Sequence, residues 1–330
     1  IFYINIPLGL VSFIMSVTVI KETPHQKEKP FDLCGFALMT VCLSTLLLAL
    51  SQGQRLSWFQ SAYIRNLLII FAASLVAFVL VELQVSHPFV DLHLYRNAVY
   101  TNTTIVSTLL GIGFYGSSFM VPIFLQKFLP YSPFRAGVVM MPGALMFATF
   151  LMLSGLLVNR VPARIFIVMG LGFFSAALFW LSNIVTETHQ GSIVVMLMLR
   201  GVGLGLIFTP LINSALVCLP MKDITMGSGL FNVVRYIFGM FGIAVIETVI
   251  ERRGVIHKAA LAEGQRFGIP GTETFLRHFE DLFSYVGNVE SLAQLKSLAM
   301  LDRLVNAKAL LDAYSDCYLM LAILTVAAVL

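Results

Sequence analysis

The sequence predicts an all-α, polytopic membrane protein, and three observations carry this prediction. Of the 330 residues, 58% are hydrophobic and 12% are charged, and the mean hydropathy is +0.89. A soluble domain carries roughly twice that charged fraction, because its surface faces water. Apolar runs of about 20 residues recur along the chain, which is the length needed to cross a hydrocarbon core of about 30 Å. Since lipid offers the backbone no hydrogen-bond partner, each run is predicted to be a helix.

Nine such runs predict about nine transmembrane helices, over residues 1–20, 34–51, 63–82, 102–126, 137–157, 164–184, 192–218, 227–250 and 316–330. The chain begins at Ile1 and stops at Leu330, both within apolar runs, so we expect a fragment truncated at both ends. Lys and Arg are enriched in cytoplasmic loops. The richer set of loops is therefore predicted to be cytoplasmic; it holds Lys21, Lys27, Lys29, Arg96, Arg160, Arg164 and Lys222.

The segment 251–315 differs from the rest because charged residues of both signs are concentrated in it. Within it, 272–285 and 290–313 have helix-like patterning. We expect a water-exposed helical insert on the extracytoplasmic side. At the other end of the chain, Asp32 opens the second apolar run and is predicted to cap its helix.

The fourth run contains a glycine pattern that imitates a nucleotide-binding loop. Gly111, Gly113 and Gly116 have the spacing G-x-G-x-x-G. That loop needs a strand before it and an acidic residue about 20 positions later, but no acid occurs between Asp91 and Glu187. The glycines therefore indicate close helix packing or one wall of an aqueous pathway, and both alternatives stay open. A stripe of small or polar residues at helical spacing accompanies them: Thr104, Thr108, Gly111, Tyr115, Ser118, Pro122 and Gln126.

Two arginines lie well inside predicted spans, away from the span ends, where an unpaired charge costs several kcal/mol. Arg200 lies well inside its run and is predicted to face a cavity or to serve function. Arg235 lies about two turns into the next run, with Asn232 three residues earlier on the same helical face. For Arg235, extension of the side chain to the cytoplasmic interface is the alternative.

The sequence lacks the residue patterns that are typical of several classes of protein function. It has no G-x-x-x-x-G-K-[ST] loop for ATP, no Cys/His cluster with metal spacing and no basic stripe with interleaved aromatics. Clustered intramembrane acids, histidines and serines of the kind that a membrane-embedded enzyme needs are also missing. We therefore expect no catalytic residue, metal, cofactor or nucleic-acid partner, and the chain is not predicted to be an enzyme.

Short motifs are spread over the whole chain. They are IFYINIPLGL with Asn5, Pro7 and Gly9, FDLCGF with Asp32, FLQKFLPYSPFRAGVVMMPG with Pro133, Gly137 and Pro142, and GSGLFNVVRYIFGMFGIA with Asn232 and Arg235. With these motifs the chain resembles the major facilitator superfamily, and within it the fourteen-span drug:proton antiporters of the EmrB/QacA type. The resemblance implies three parts. Residues 1–20 would be the last helix of the N-terminal half, 21–101 two linker helices with a cytoplasmic connector, and 102–330 a six-helix C-terminal half that contains the insert 251–315.

Two further matches concern gating and coupling. Residues Gly155, Asn159, Arg160 and Arg164 resemble the superfamily's cytoplasmic G-x-L-x-D-R-x-G-R gating loop, with Asn159 in place of the acid. RGVGLG, which begins at Arg200, resembles the second-half echo of a motif linked to proton transfer. Arg200 and Arg235 are therefore the candidates for transport and proton coupling. The proton-carrying carboxylate is expected in the absent N-terminal half.

The resemblance implies proton-driven efflux of amphipathic or cationic drugs by alternating access across a bacterial cytoplasmic (inner) membrane. The small-molecule substrate is expected to contact a cavity formed by Thr108, Gly111, Tyr115, Ser118, Phe119, Gln126 and Asn232. Export of a siderophore or another metabolite is one alternative, and a non-functional truncated fragment is another. The insert is expected either to dock a periplasmic membrane-fusion adaptor protein or to be an ordinary solvated loop.

Overall fold

The computed structural model describes residues 3, 5–19, 32–85, 92–158, 160–185, 188–221, 223–263, 270–285 and 290–328. Apart from two short 3-10 turns, its regular elements in this part of the chain are ten α-helices. They are α1 (Asn5–Val19), α2 (Leu33–Gly53), α3 (Ala62–Gln84), α4 (Ala98–Lys127), α5 (Pro133–Leu157), α6 (Ala163–Ser182), α7 (Gln190–Val217), α8 (Ile224–Glu263), α9 (Pro270–Tyr285) and α10 (Glu290–Ala327).

Eight of the described helices, α2 to α8 and α10, are long and apolar enough to cross a membrane. The first predicted run contains α1, which has 15 described helical residues. Each of the nine predicted runs thus overlaps one of these helices, and the expectation of an all-α polytopic membrane protein is confirmed.

Six of the membrane helices, α4 to α8 and α10, form one bundle. Helix α7 packs between α5 and α6, α4 packs along α8, and α10 lies against both α6 and α8. Large side chains such as Tyr100, Phe174 and Tyr318 are fully buried in the core of this bundle. Helices α2 and α3 pair with each other, and α2 contacts the bundle through α8. The bundle therefore contains the six helices that the resemblance assigned to a C-terminal half.

Helices α8 and α10 continue far beyond the predicted ends of their spans. They have 40 and 38 residues, which at about 1.5 Å per residue is nearly 60 Å each, about twice the hydrocarbon thickness. The predicted bounds at 250 and 316 are those of the apolar runs, and the helices continue past them because charged side chains lower hydropathy without interrupting the helical hydrogen bonds. The described part of the segment 251–315 thus consists of extensions of α8 and α10 together with α9, which packs on α10.

Glycines on α7 allow its neighbours to approach closely. A Cβ atom added at Gly205 would lie 2.7 Å from the Phe147 carbonyl oxygen of α5, and one at Gly201 would collide with the Gly143 carbonyl of the same helix. Gly203 faces the other way, where an added Cβ would lie 2.5 Å from the backbone nitrogen of Phe174 on α6. Small residues at helix contacts are typical of membrane bundles. The RGVGLG motif therefore has a packing role on two sides of α7.

Several of the motif residues have local structural roles. Asp32 is the N-cap of α2 and accepts a hydrogen bond from the Gly35 backbone N–H at 2.9 Å, as predicted. Pro133 is at the first position of α5, where its missing N–H costs nothing, and Pro142 lies inside the same helix. In α1, the motif residues Asn5, Pro7 and Gly9 are exposed, and Gly137 of α5 is exposed as well.

Candidate functional site

Arg200 lies inside α7 and is held by side chains and a carbonyl of α4. The residue is buried, with 9% of its surface exposed. Its Nε donates to Ser117 Oγ at 3.1 Å, and its Nη2 donates to the Phe114 carbonyl at 3.4 Å and to Ser118 Oγ. All three acceptors are neutral, and no carboxylate in the described ranges forms a salt bridge with this guanidinium. Arg200 is therefore a buried cation that hydroxyl and carbonyl dipoles stabilise.

A cavity of about 280 Å³ opens beside Arg200, between α4, α5 and α7. Arg200 and Ser118 contribute its polar groups, and apolar side chains such as Phe114, Met140 and Phe147 form much of the remaining wall. None of the described lining residues is acidic. The cavity thus combines an apolar wall with one fixed positive charge, an arrangement typical of sites that bind part of a small organic molecule.

Arg235 on α8 is enclosed by aromatic rings. Its Nη2 donates to Asn232 Oδ1 at 2.6 Å, one turn earlier on the same helix. The guanidinium carbon lies 5.0 Å from the ring centroid of Phe208, 5.7 Å from that of Tyr236 and 6.0 Å from that of Phe231. Since only 7% of Arg235 is exposed, the structure has this side chain packed inside the bundle and not extended to the interface.

A chain of aromatic rings connects the surroundings of the two arginines. Phe208, which lies over Arg235, also contacts Phe114 and Phe147 of the cavity wall, with ring centroids 5.4 Å and 5.6 Å apart. Phe114 in turn lies beside the ring of Tyr115, at 4.8 Å. The two buried guanidinium groups therefore lie beside one continuous cluster of aromatic rings, which α4, α5, α7 and α8 form.

Comparison with known families decides to which family this fold belongs. The sequence profile of the Major Facilitator Superfamily matches residues 1–243, more than half of the chain. The chain belongs to this superfamily. Membership agrees with the resemblance inferred from the short motifs.

Curated relatives of the chain include proteins named for resistance or for export. The chain is 28% identical over 264 residues to the fatty acid resistance protein FarB of Neisseria gonorrhoeae, covering 80% of this chain and 52% of that protein. It is 28% identical over 254 residues to the multidrug resistance protein Stp of Mycobacterium tuberculosis, covering 76% and 46%. It is 26% identical over 269 residues to the multidrug export protein EmrB of Haemophilus influenzae, covering 80% and 52%. The chain therefore spans about half the length of these relatives.

The structure separates the predicted cavity residues of α4. Ser118 lines the cavity. Gly111 faces α8, where an added Cβ would lie 2.9 Å from the Arg235 carbonyl oxygen, so its position is that of a close helix contact. Thr108 donates to the carbonyl of its own helix one turn earlier, and Gln126 is exposed in the last turns of α4. Within the stripe, Gly111 therefore lies at a close helix contact, whereas Ser118 lies on the wall of a cavity.

The remaining predicted cavity residues lie toward α8 or in the core. The ring of Tyr115 lies 5.6 Å from that of Tyr236 and against Gly239 of α8. Phe119 packs against the hydrophobic core. Asn232 also donates to the Ser228 carbonyl at 2.9 Å, so it is anchored to its own helix while it accepts from the neighbouring arginine.

The loop that resembles the superfamily's gating motif joins α5 to α6. Arg160 and Arg164 are exposed there, and neither forms an ion pair with another described residue. Gly155, near the end of α5, approaches Thr209 of α7, with an added Cβ at 3.6 Å. Asn159 lies outside the described residues. The role of this loop in gating stays a prediction.

Two important contributors to the site were not singled out from the sequence. Ser117 holds the Arg200 Nε, and Phe208 lies between the two arginines. Ser117 is adjacent to the predicted stripe in sequence but does not share its three- and four-residue spacing, so it gives no periodic signal by itself. Phe208 is one of 27 phenylalanines, so its residue type carried no information about position.

Proposed function

We propose that the chain forms the linker helices and the second half of a secondary active transporter in a bacterial cytoplasmic membrane. The transporter would export amphipathic compounds, cationic drugs among them, by alternating access driven by protons. Superfamily membership and relatives named for multidrug resistance or multidrug export support this proposal. The observation that carries it is the buried Arg200 on the wall of a cavity between three helices of the bundle.

In this proposal the second half contributes fixed positive charges and an aromatic wall. Arg200 and Arg235 take part in coupling, because a nearby positive charge favours the ionised form of a facing carboxylate. That carboxylate would belong to the part of the relatives' length that this chain does not cover, as would any acid that neutralises a cationic substrate. Tyr115 and Asn232, on either side of the α4–α8 contact, would meet substrate when the site opens.

A second candidate cargo is a metabolite or a lipid-like acid. One relative is named for resistance to fatty acids, and the charge on the cavity wall is positive. Export of a siderophore belongs to the same class of alternatives. The extensions of α8 and α10 together with α9 would lie outside the membrane, where they are available to dock a periplasmic adaptor protein.

Dye efflux tests the proposal. The full-length gene product is expressed in a host that lacks its own drug pumps, and retention of the cation ethidium is followed by fluorescence with and without a protonophore. We expect less retained dye in cells that contain the protein, and loss of that difference when the protonophore collapses the proton gradient. Unchanged retention rules out multidrug export, whereas efflux that resists the protonophore rules out proton coupling.

Substitutions of the two buried arginines refine this test. We expect Arg200→Ala and Arg235→Gln to lower the efflux rate at least tenfold at unchanged abundance in the membrane. Arg135→Gln is the matched control, since Arg135 is exposed at the start of α5, bonds Gln190 at 2.8 Å and is not one of the residues that line the cavity. Full activity of the Arg200 variant at normal abundance would contradict its role in coupling.

A further inference from the structure

Arg200 has donor capacity that the protein does not use. A guanidinium carries five N–H donors in a rigid fork. Here the hydrogen bonds to α4 occupy Nε and Nη2, through Ser117, Ser118 and the Phe114 carbonyl. The Nη1 group donates to no acceptor among the described residues. The α4 contacts therefore fix the orientation of the fork and leave part of it available.

The unused donors belong to a residue that lines an apolar cavity. The cavity wall carries the charge of Arg200 and the hydroxyl of Ser118, and no acid among the described lining residues. In surroundings of low polarity a charge–charge interaction is much stronger than in water. A second cation beside Arg200 would therefore be repelled, whereas a carboxylate would both neutralise the charge and accept from the free donors.

We propose that this cavity binds the carboxylate group of an amphipathic organic anion, with Arg200 as the anion-binding residue and Ser118 as a second donor. The proposal rests on the proposed function in one respect, namely that the bound anion is also the compound transported. The volume sets the size of the apolar part. At about 280 Å³ the cavity is nearly twice the size of an apolar protein cavity of about 150 Å³ that holds benzene, so two fused rings or an acyl segment of similar volume fit.

A charge series on one ring system tests the proposal without any mutation. The probes are 2-naphthoate, 2-naphthylmethanol and 2-naphthylmethylammonium, which share the naphthalene ring and differ in charge. Each is titrated by fluorescence into the full-length gene product in nanodiscs. We expect the carboxylate to bind at least tenfold more tightly than the alcohol, and the ammonium to bind most weakly. Equal affinities, or tightest binding of the ammonium, overturn the proposal.

Variants then assign the preference to one residue. In Arg200→Gln we expect 2-naphthoate to lose its advantage over the alcohol, whereas Arg200→Lys, which keeps the charge and loses the fork, retains part of it. Ser118→Ala keeps the arginine and should weaken 2-naphthoate binding by a few fold. Arg135→Gln, at the exposed start of α5, should leave all three affinities unchanged. A carboxylate preference that survives Arg200→Gln in monodisperse protein assigns the anion to another site and overturns the proposal.

A transport assay distinguishes failure of the anion-site proposal from failure of the proposed transport function. The same preparation is reconstituted into proteoliposomes, and proton-driven movement of 2-naphthoate and of ethidium is measured. Selective binding of 2-naphthoate at Arg200 without proton-driven movement of either compound supports the anion site and overturns the proposed function. Proton-driven export of ethidium by a protein that has no carboxylate preference overturns the anion site alone.

Discussion

Gly205 on α7 offers a direct test of the close contact between α5 and α7. A Cβ atom at this position would lie 2.7 Å from the Phe147 carbonyl oxygen and 2.8 Å from the Leu151 backbone nitrogen. Ordinary contact begins near 3.4 Å, so Gly205→Ala requires a local separation of about 0.7 Å between the two helices. Backbone atoms cannot turn aside as a side chain can, and overpacking of this kind costs about 1–3 kcal/mol.

The same substitution at Gly172 provides the matched control. Gly172 lies inside α6, and an added Cβ there would meet no atom within 4 Å. Both substitutions bring the same gain of about 0.5–1 kcal/mol from replacing glycine by alanine inside a helix. The difference between the two variants therefore isolates the cost of overpacking, and we expect Gly205→Ala to be less stable than Gly172→Ala by about 1–3 kcal/mol.

The measurement is equilibrium unfolding of the full-length protein by SDS in mixed micelles, followed by helical circular dichroism. We expect Gly172→Ala to unfold at the same SDS fraction as the original protein or at a higher one, and Gly205→Ala at a lower one. Equal transitions for the two variants would refute the reasoning, since they would mean that α5 and α7 do not approach as closely as the structure indicates.

Two further predictions concern single contacts. Asp32→Ala removes the side-chain cap of α2 and should reduce the free energy of unfolding by about 1 kcal/mol, whereas Ser61→Ala, at a cap of α3 that makes no side-chain hydrogen bond, should change it little; equal losses in the two SDS titrations contradict this. Asp316→Asn removes the negative charge from the contacts of this side chain with Arg253 at 3.3 Å and His257 at 2.8 Å, which join α8 to α10. Because these groups are partly exposed, we expect a loss below about 1 kcal/mol that shrinks in 1 M salt, and a loss independent of salt argues against an ionic origin.

The helices could be predicted from the sequence because the membrane imposes a strong and local rule. Each apolar run must satisfy its own backbone, so its length and composition are enough to place a helix. The rule gives no helix ends where charge begins, at 250 and 316, since the same helices continue through charged sequence. Hydropathy reports the solvent around a helix and not the hydrogen bonds along it, so it could not locate the ends of α8 and α10.

Buried arginines could also be predicted, because an ionisable residue inside an apolar run is conspicuous. The residues that contact these arginines could not be predicted from the sequence. Ser117 of α4 and Arg200 of α7 are 83 positions apart, and no periodic pattern within either helix links them. The glycine pattern GIGFYG shows the same limit, since Gly111 faces Arg235 of α8 whereas Gly116 faces Ile246 of that helix and Leu321 of α10. Spacing identifies a face of a helix, and tertiary packing decides what lies against it.

The two arginines are held in different ways, and this determines what each does to its surroundings. Arg200 of α7 donates hydrogen bonds to oxygens of α4. It therefore connects these two helices and also places a positive charge on the cavity wall. Arg235 finds its closest polar partner on its own helix and otherwise faces the rings of Phe208 and Tyr236. Since Phe208 also packs on Phe114, whose carbonyl accepts from Arg200, a shift of α4 against α7 changes the environment of both cations together.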